Sequence, residues 1–469
     1  MSALAKQRRN GKGEAFRSCT TADSGTGRIF SGTFAIIPTA NSRAAGAGRL
    51  PRERFFLLFA VMLVAASGNT AMQSLMPSIG RELGIPDLWV AVGFSLSAVI
   101  WVLTAPHWAR RSERRGRGAL MRLGLYGFIL SMLVCGGVLA LGLAGTLPPM
   151  LVFAVFILGR AIYGGWGSAS PPAVQAYIAA RTEGEQRTNA LAAIASSFSL
   201  GTIVGPAVAP LFIFQPLGLS GPLIVFAGIG ALVLAALALR LPDDTPTHSA
   251  RGDVVEYPAT GGYGGGASPK PKEQVAAKLR WKDPRIFTWH MIGVIGGHGH
   301  AALLGVIGFL VIDRISAPLD EAQRWIAMVL IAGAVATLLA QWWLIPQLRL
   351  SPRRLVFWGS LIAAAGSAVT GLSPGIYGIT LGFALASLGF GFFRPGFTSG
   401  ASLSVKPEEQ NEAAGMVTSV NGVAFILAPA LGVALYGLWM PLPFVITAAL
   451  MLGLALWTKL SFRPSAPAA

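Results

Sequence analysis

The sequence predicts an all-α integral membrane protein in which twelve transmembrane helices form two six-helix bundles. Three observations support this fold class. Of the 469 residues, 53% are hydrophobic and only 12% are charged, whereas a soluble domain carries about 25% charged residues. Twelve segments are apolar over the length of about twenty residues that a helix needs to cross a bilayer. Landmarks in the first half of the chain also return in the second half in the same order.

The twelve apolar segments form two sets of six, separated by a polar stretch. The first set lies near residues 54–77, 87–108, 122–145, 149–172, 189–213 and 221–240. The second set lies near residues 286–312, 323–345, 355–373, 376–399, 413–438 and 441–459. The stretch 241–285 contains GGYGGG and KPK, which is typical of a flexible cytoplasmic linker. We therefore expect an N-terminal bundle at residues 51–240, a C-terminal bundle at residues 286–460 and a short cytoplasmic tail at residues 461–469.

The repeated landmarks are a proline, a Glu-Gln pair and a second proline inside an apolar helix. In the first half they are Pro171, Glu185-Gln186 and Pro206. In the second half they are Pro395, Glu409-Gln410 and Pro429. Repeated halves in a hydrophobic chain are typical of transporter folds, in which the substrate site lies between the halves.

Basic residues in the loops predict the orientation of the helices. Loops after the even-numbered spans hold most of the arginines and lysines, and the opposite loops hold few. By the positive-inside rule, both termini are expected in the cytoplasm, beneath a bacterial-type inner (plasma) membrane. Residues 1–50 are basic and lack sustained periodicity, so we interpret them as a disordered cytoplasmic leader or as residues upstream of the true start. The net charge of +17 lies in alternate loops, which favours contact with membrane lipid over nucleic acid.

Composition and motifs also exclude several classes of chemistry. The chain has two cysteines, Cys19 and Cys135, which rules out a disulfide framework. It has no P-loop, so ATP is not expected as the energy source. It has no nucleophile elbow, cofactor fingerprint or clustered His/Asp set, so we expect no enzyme activity, no cofactor and no bound metal.

The loop between the second and third spans reads APHWARRSERRGRG, in which several arginines surround Glu113. A charge cluster between two helix ends can lock one conformation of a bundle, although arginines there also serve simply to set topology. The run resembles the Gly-x-x-x-Asp-Arg-x-Gly-Arg-Arg loop signature of the major facilitator superfamily, and the preceding Pro106-x-Trp108 resembles its drug:proton antiporter branch. Glu113, Arg114, Gly116 and Arg117 match that signature, with Glu in place of Asp. The resemblance implies that these four residues form a conformational gate.

The fourth and fifth spans carry two further motifs. Arg160 lies near mid-membrane, where a charged side chain normally faces a cavity and pairs with another group. With Gly164 it resembles the family's Arg-x-x-Gln-Gly pattern, which implies a role in proton coupling. Gly201 and Gly205 lie one turn apart, a spacing that allows close helix packing. Together with Pro206 they resemble the family's antiporter signature, which implies export in exchange for protons.

The motifs do not identify the residue that carries protons. Every Asp and Glu lies in a loop, in a tail or at the end of a span. His298 and His300 lie near the midplane of the seventh span and titrate near neutral pH, so either can relay protons; bonding to helix backbone or cavity water is the alternative. Their spacing points them in different directions. Arg394, near the inner end of the tenth span, is expected to snorkel to the interface.

Buried amides and aromatic rings near mid-membrane are the candidates for a substrate cavity. We expect it to include Asn69, Gln73, Tyr163, Trp166 and Asn421, with Gln341 a weaker candidate. With the motifs, these residues predict a secondary active transporter, a monomer, that exports small apolar or amphipathic molecules by proton-coupled alternating access. The alternative is a proton-coupled symporter or a uniporter that imports a small metabolite.

Overall fold

A computed structural model describes residues 51–179, 181–182, 184–241, 279–405 and 410–461, and its regular structure is helical. The helices of the first half are α1 (Arg52–Glu82), α2 (Asp87–Arg115), α3 (Arg117–Leu143), α4 (Pro149–Trp166), α5 (Ser170–Ala179), α6 (Gly184–Val208) and α7 (Gly221–Arg240). Those of the second half are α8 (Pro284–Arg314), α9 (Leu319–Leu338), α10 (Ile345–Leu348), α11 (Pro352–Leu372), α12 (Ile376–Leu403), α13 (Gln410–Leu438) and α14 (Leu442–Ser461).

The fourteen helices of the described residues correspond to the twelve predicted spans. A 3-10 turn at Gly167–Ala169 joins α4 to α5, and a π-helical turn at Leu339–Leu344 joins α9 to α10, so each pair forms one span. Eleven spans in the described part of the chain are long and apolar enough to cross a membrane, and a shorter apolar stretch, Leu200–Phe212, begins in α6. The predicted leader, linker residues 242–278 and nearly all of the predicted tail lie outside the described residues.

Equivalent helix pairs pack together in the two halves of the chain. In the first half α1 packs along α6, and α3 packs along α7. In the second half α8 packs along α13, and α11 packs along α14. The halves meet where α2 packs on α13 and α6 packs on α9. The repeated landmarks in the sequence therefore correspond to two bundles with the same internal arrangement.

The contact between α1 and α6 depends on the two glycines that the sequence singles out. A Cβ atom added at Gly205 would overlap the carbonyl oxygen of Ser67 and Oγ1 of Thr70. The Thr70 hydroxyl donates a hydrogen bond to the carbonyl oxygen of Gly201 at 3.1 Å. The two backbones are thus in direct contact, which small residues make possible in membrane helix pairs.

We expect Gly205→Ala to destabilise the protein, because the added methyl group must push α1 and α6 apart. Overpacking of this kind costs about 1–3 kcal/mol. The midpoint of thermal unfolding, measured on the purified protein in detergent, should therefore fall.

Gly137 of α3 provides the matched control, since a Cβ atom added there meets nothing within 4 Å. Alanine is favoured over glycine inside a helix by about 0.5–1 kcal/mol. Gly137→Ala should therefore keep or raise the unfolding midpoint. Equal midpoints for the two variants would contradict a close contact between α1 and α6.

Candidate functional site

A cavity of about 200 Å³ lies between the two bundles. Helices α1, α2 and α6 form its wall on one side, and α8, α9, α12 and α13 form the other side, with a contribution from the π-helical turn after α9. Most of the wall is apolar. Its polar side chains are those of Thr70, Gln73, Ser74, Thr202, His300, Thr337, Gln341, Ser387 and Arg394. This is the place, between repeated halves, where transporters of this architecture bind substrate.

Several residues singled out in the sequence lie in this wall. Gln73 of α1, Pro206 of α6 and His300 of α8 all line the cavity. Gln341, the weaker amide candidate, lines it as well. The signal for the amides and the imidazole was chemical, because such groups inside an apolar helix need polar surroundings.

Four other candidate cavity residues lie elsewhere. Tyr163 is buried within the N-terminal bundle, where its ring centroid lies 5.4 Å from that of Trp101. The Trp166 side chain is 43% exposed on the surface of the molecule. Asn69 is buried and Asn421 is partly buried, and neither lines the cavity. Hydropathy locates a residue in depth along a span but does not determine which way its side chain faces.

Arg160 is fully buried and contacts aromatic rings and a thioether. Its Nη1 lies 3.7 Å from Sδ of Met72. Its guanidinium carbon lies 4.8 Å from the centroid of the Phe94 ring and 5.2 Å from that of Tyr163. Within the described part of the chain, Nε and Nη2 have no hydrogen-bond partner. The expectation that Arg160 faces the cavity is corrected: it lies behind Phe94, and it is Phe94 that lines the wall.

The two histidines of α8 have different surroundings. His298 donates a hydrogen bond from Nδ1 to the carbonyl oxygen of Val294, one turn earlier, at 2.7 Å. The His300 ring stacks on the Phe390 ring, with 4.5 Å between centroids, and lines the cavity. His300, rather than His298, is therefore placed to meet a molecule in the cavity.

Arg394 lines the cavity, which corrects the expectation that it snorkels to the membrane interface. It belongs to a row of α12 residues that all line the wall, namely Phe383, Ser387, Phe390 and Arg394. Residues that recur every three or four positions lie on one face of a helix. This periodicity is the signal that could have placed Arg394 beside Phe390 in the wall.

The structure describes part of the gate predicted between α2 and α3. Gly116 has a φ angle of 86°, a backbone conformation that favours glycine, and by itself joins the two helices. Arg117 begins α3 and is only 7% exposed. The side chains of Glu113 and Arg114 lie outside the described residues, so the gate in this loop stays a prediction.

A charge cluster that sequence reasoning missed joins the two bundles at one end of the cavity. Arg81, near the end of α1, contacts carboxylate oxygens of Asp87 at 2.6 Å and Asp313 at 2.5 Å. Asp313, near the end of α8, accepts a hydrogen bond from the Tyr436 hydroxyl of α13 at 2.6 Å. The Arg81 guanidinium carbon also lies 5.7 Å from the centroid of Phe309, a ring that lines the cavity. We call Arg81, Asp87, Asp313 and Tyr436 the Arg81 cluster.

The family model of the Major Facilitator Superfamily matches residues 57–343 of the chain. The chain belongs to the Major Facilitator Superfamily. Proteins of this family are transporters rather than enzymes; they lie in a membrane and bind small-molecule substrates. The cavity between the bundles and the many apolar spans agree with a multi-pass membrane transporter.

Known proteins resemble this chain at low sequence identity. Multidrug resistance protein 2 of Bacillus subtilis (strain 168) is 23% identical over 401 residues, which cover 85% of this chain and 92% of that protein. A solved bacterial homolog of the human lysosomal transporter Spinster matches with a TM-score of 0.67 at 14% identity, over 89% of this chain and 100% of that chain. The solved nucleoside transporter NupG matches with a TM-score of 0.64 at 12% identity, over 87% of this chain and 100% of that chain. The two structures show a shared fold.

We expect Arg160→Met to keep or raise the midpoint of thermal unfolding. Desolvating a charged side chain costs several kcal/mol, and contacts with aromatic rings offset about 2 kcal/mol of that cost. Methionine retains much of the side-chain length and removes the charge. Differential scanning fluorimetry of the purified variant in detergent measures the effect.

Phe156→Ala is the comparison for a change that harms the same bundle. Phe156 is 0% exposed, and truncating a buried phenylalanine costs about 3–5 kcal/mol. If Arg160→Met lowers the midpoint as much as Phe156→Ala does, Arg160 is needed for folding and its charge does not destabilise the bundle.

Proposed function

We propose that this chain is a secondary active transporter that exports small apolar or amphipathic molecules in exchange for protons. The observation that carries the proposal is that both bundles supply the wall of one cavity, while the Arg81 cluster joins the bundles at one end of it. A shared site of this kind opens to alternate sides of a membrane when two bundles rock about it.

Two features favour export over import. Gly201, Gly205 and Pro206 resemble the antiporter signature, and the glycines hold α6 against α1 at the cavity wall. A relative that matches most of the chain is a multidrug resistance protein. The apolar wall suits substrates with a large apolar surface. Import of a metabolite by symport or uniport is the competing function, since the same fold occurs in a nucleoside transporter.

We also propose an orientation of the protein in the membrane. The loop arginines favour cytoplasmic termini, and the Bacillus relative favours a bacterial plasma membrane. In that orientation the Arg81 cluster lies at the outer face of the membrane and holds that side closed. The gate residues of the α2–α3 loop, Glu113, Arg114, Gly116 and Arg117, then act at the cytoplasmic face.

For proton coupling we propose Arg160 and His300, with His298 as the weaker candidate. The acids of the chain lie outside the mid-membrane region, which leaves imidazoles as the side chains there that can both accept and donate a proton. His300 lines the cavity and can exchange a proton with its contents. The charge of Arg160, one ring away behind Phe94, acts on the same space.

In everted membrane vesicles with an acidified lumen, addition of a substrate should release protons from the lumen, because substrate enters as protons leave. A suitable substrate is first found as a compound that an efflux-deficient bacterial host tolerates better when it makes this chain. Recovery of fluorescence from a pH-sensitive dye in the lumen measures the proton release.

Two histidine variants, one expected to lose the proton release and one expected to keep it, test the role of His300. His300→Gln and Arg160→Met should abolish the proton release, whereas His298→Gln should retain it because His298 is bonded to its own helix. Protons that move in the same direction as the substrate would establish symport and overturn the proposed exchange. A host that becomes less tolerant of the compounds would indicate import.

Asp313→Asn should shift the transporter toward the conformation that is open at the Arg81 cluster. The variant removes the carboxylate that Arg81 and Tyr436 share across the two bundles. An interaction of about 1.4 kcal/mol changes a conformational ratio tenfold. Spin labels at Leu88 and Leu438, both exposed near this end, should report a larger share of long distances.

Asp320→Asn is the control for this shift, since it removes the same charge from an exposed residue at the start of α9 that lies outside the cluster. Its distance distribution should match that of the unmodified chain. If Asp313→Asn also leaves the distribution unchanged, the Arg81 cluster does not hold this end closed.

A further inference from the structure

The wall of the central cavity carries positive charge. Among the described residues that line it, Arg394 is cationic, His300 carries an imidazole and none is acidic. The remaining polar groups are neutral amides and hydroxyls. Asp313, in the Arg81 cluster at one end of the cavity, is paired with Arg81 and Tyr436.

Polar side chains of α9 and α12 lie at the same end of the cavity. The wall residues of α12, taken in order, are Phe383, Ser387, Phe390 and Arg394. Those of α9 and the turn that follows it include Ile326, Leu330, Thr337 and Gln341. Each row begins with apolar side chains and ends with a side chain that can donate several hydrogen bonds.

Contacts between α9 and α12 fix the direction of both rows. Near their first turns, the rings of Trp325 and Tyr377 lie 6.5 Å apart between centroids. Further along, a Cβ atom added at Gly391 would lie 2.8 Å from Cβ of Ala340. The two helices therefore run parallel to each other and away from the Arg81 cluster. Arg394 and Gln341 lie together at the end of the cavity opposite to that cluster.

Arg160 adds a second positive charge beside the cavity. It is fully buried, and its Nε and Nη2 lack hydrogen-bond partners within the described residues. Its guanidinium group lies against one face of the Phe94 ring, and Phe94 lines the cavity. One aromatic ring thus separates this uncompensated charge from whatever occupies the cavity.

These charges favour an anion over a cation by a large margin. Opposite charges attract and like charges repel, and both interactions are stronger in a protein interior than in bulk water. A guanidinium group also offers paired N–H donors that match a carboxylate, sulfonate or phosphate. An apolar body attached to that anion can pack on the phenylalanines at the opposite end of the cavity.

We infer that the cavity binds an amphipathic organic anion, with its acidic group at Arg394 and His300 and its apolar body toward Phe309 and Phe383. This inference rests on the proposed transport function and names its substrate class. It does not depend on the direction of transport or on proton coupling, because it concerns equilibrium binding in the cavity.

Three probes with one apolar body test the charge preference: 1-pyrenebutyrate, 1-pyrenebutanol and pyrenebutyl-trimethylammonium. Fluorescence titration of the full chain in nanodiscs of zwitterionic lipid, with empty nanodiscs subtracted, gives each dissociation constant. The butyrate should bind at least about tenfold more tightly than the alcohol, and the ammonium compound should bind most weakly.

Variants assign the preference to Arg394. Arg394→Gln should weaken butyrate binding about tenfold and leave the alcohol nearly unchanged, whereas Arg394→Lys should retain much of the preference. Arg240→Gln removes the same charge from an exposed residue at the end of α7 and should change neither constant. Tighter binding of the ammonium compound, or equal butyrate affinity in Arg394→Gln and the unmodified chain, would overturn the inference. Proton-coupled export could still be observed in vesicles in either case, so the two proposals fail separately.

Discussion

The low dielectric of the membrane interior determines where this chain can place charge. A charge there is costly unless it is paired or hydrogen-bonded. Within the residues that the structure describes, the acids accordingly lie near helix ends or between helices, and Asp313 binds both Arg81 and Tyr436 at such an end. Arg160 and Arg394 lie deeper: one lies against aromatic rings, and the other lines the cavity. Because of their depth, both positive charges act on the contents of the cavity.

The two bundles achieve the same close helix contact with different residues. In the first half, glycine is on α6, where Gly205 lies against the backbone of α1 at Ser67. In the second half, glycine is on α8, where a Cβ atom added at Gly305 would lie 2.9 Å from Cα of Pro429. In the second half the glycine of this contact is on α8, the equivalent of α1. The equivalent of α6, helix α13, can therefore carry Ala428-Pro429 where α6 carries Gly205-Pro206. Close approach needs a small residue on one side of the contact only.

The sequence predicted those features that depend on one helix at a time. Hydropathy located the spans, because each must bury about twenty residues in hydrocarbon. Glycine spacing identified the packing face of α6. The direction of individual side chains was harder to predict. Arg394 lines the cavity instead of reaching the interface, whereas Trp166 is exposed on the surface and Tyr163 is buried inside its bundle. The Arg81 cluster could not be predicted, because Arg81 and Asp313 are 232 residues apart in the chain and meet only when the bundles pack.

Phe309 connects the Arg81 cluster with the cavity. Its ring lies under the Arg81 guanidinium group and also forms part of the cavity wall. Gly308, the preceding residue, packs so closely on Pro77 of α1 that an added Cβ atom would lie 2.6 Å from the proline ring. A molecule that displaces Phe309 must therefore disturb both the arginine above it and the tight contact between bundles beside it. Because packed interfaces shift between discrete arrangements rather than deforming continuously, we expect a molecule that moves Phe309 to change the contacts of the Arg81 cluster as well.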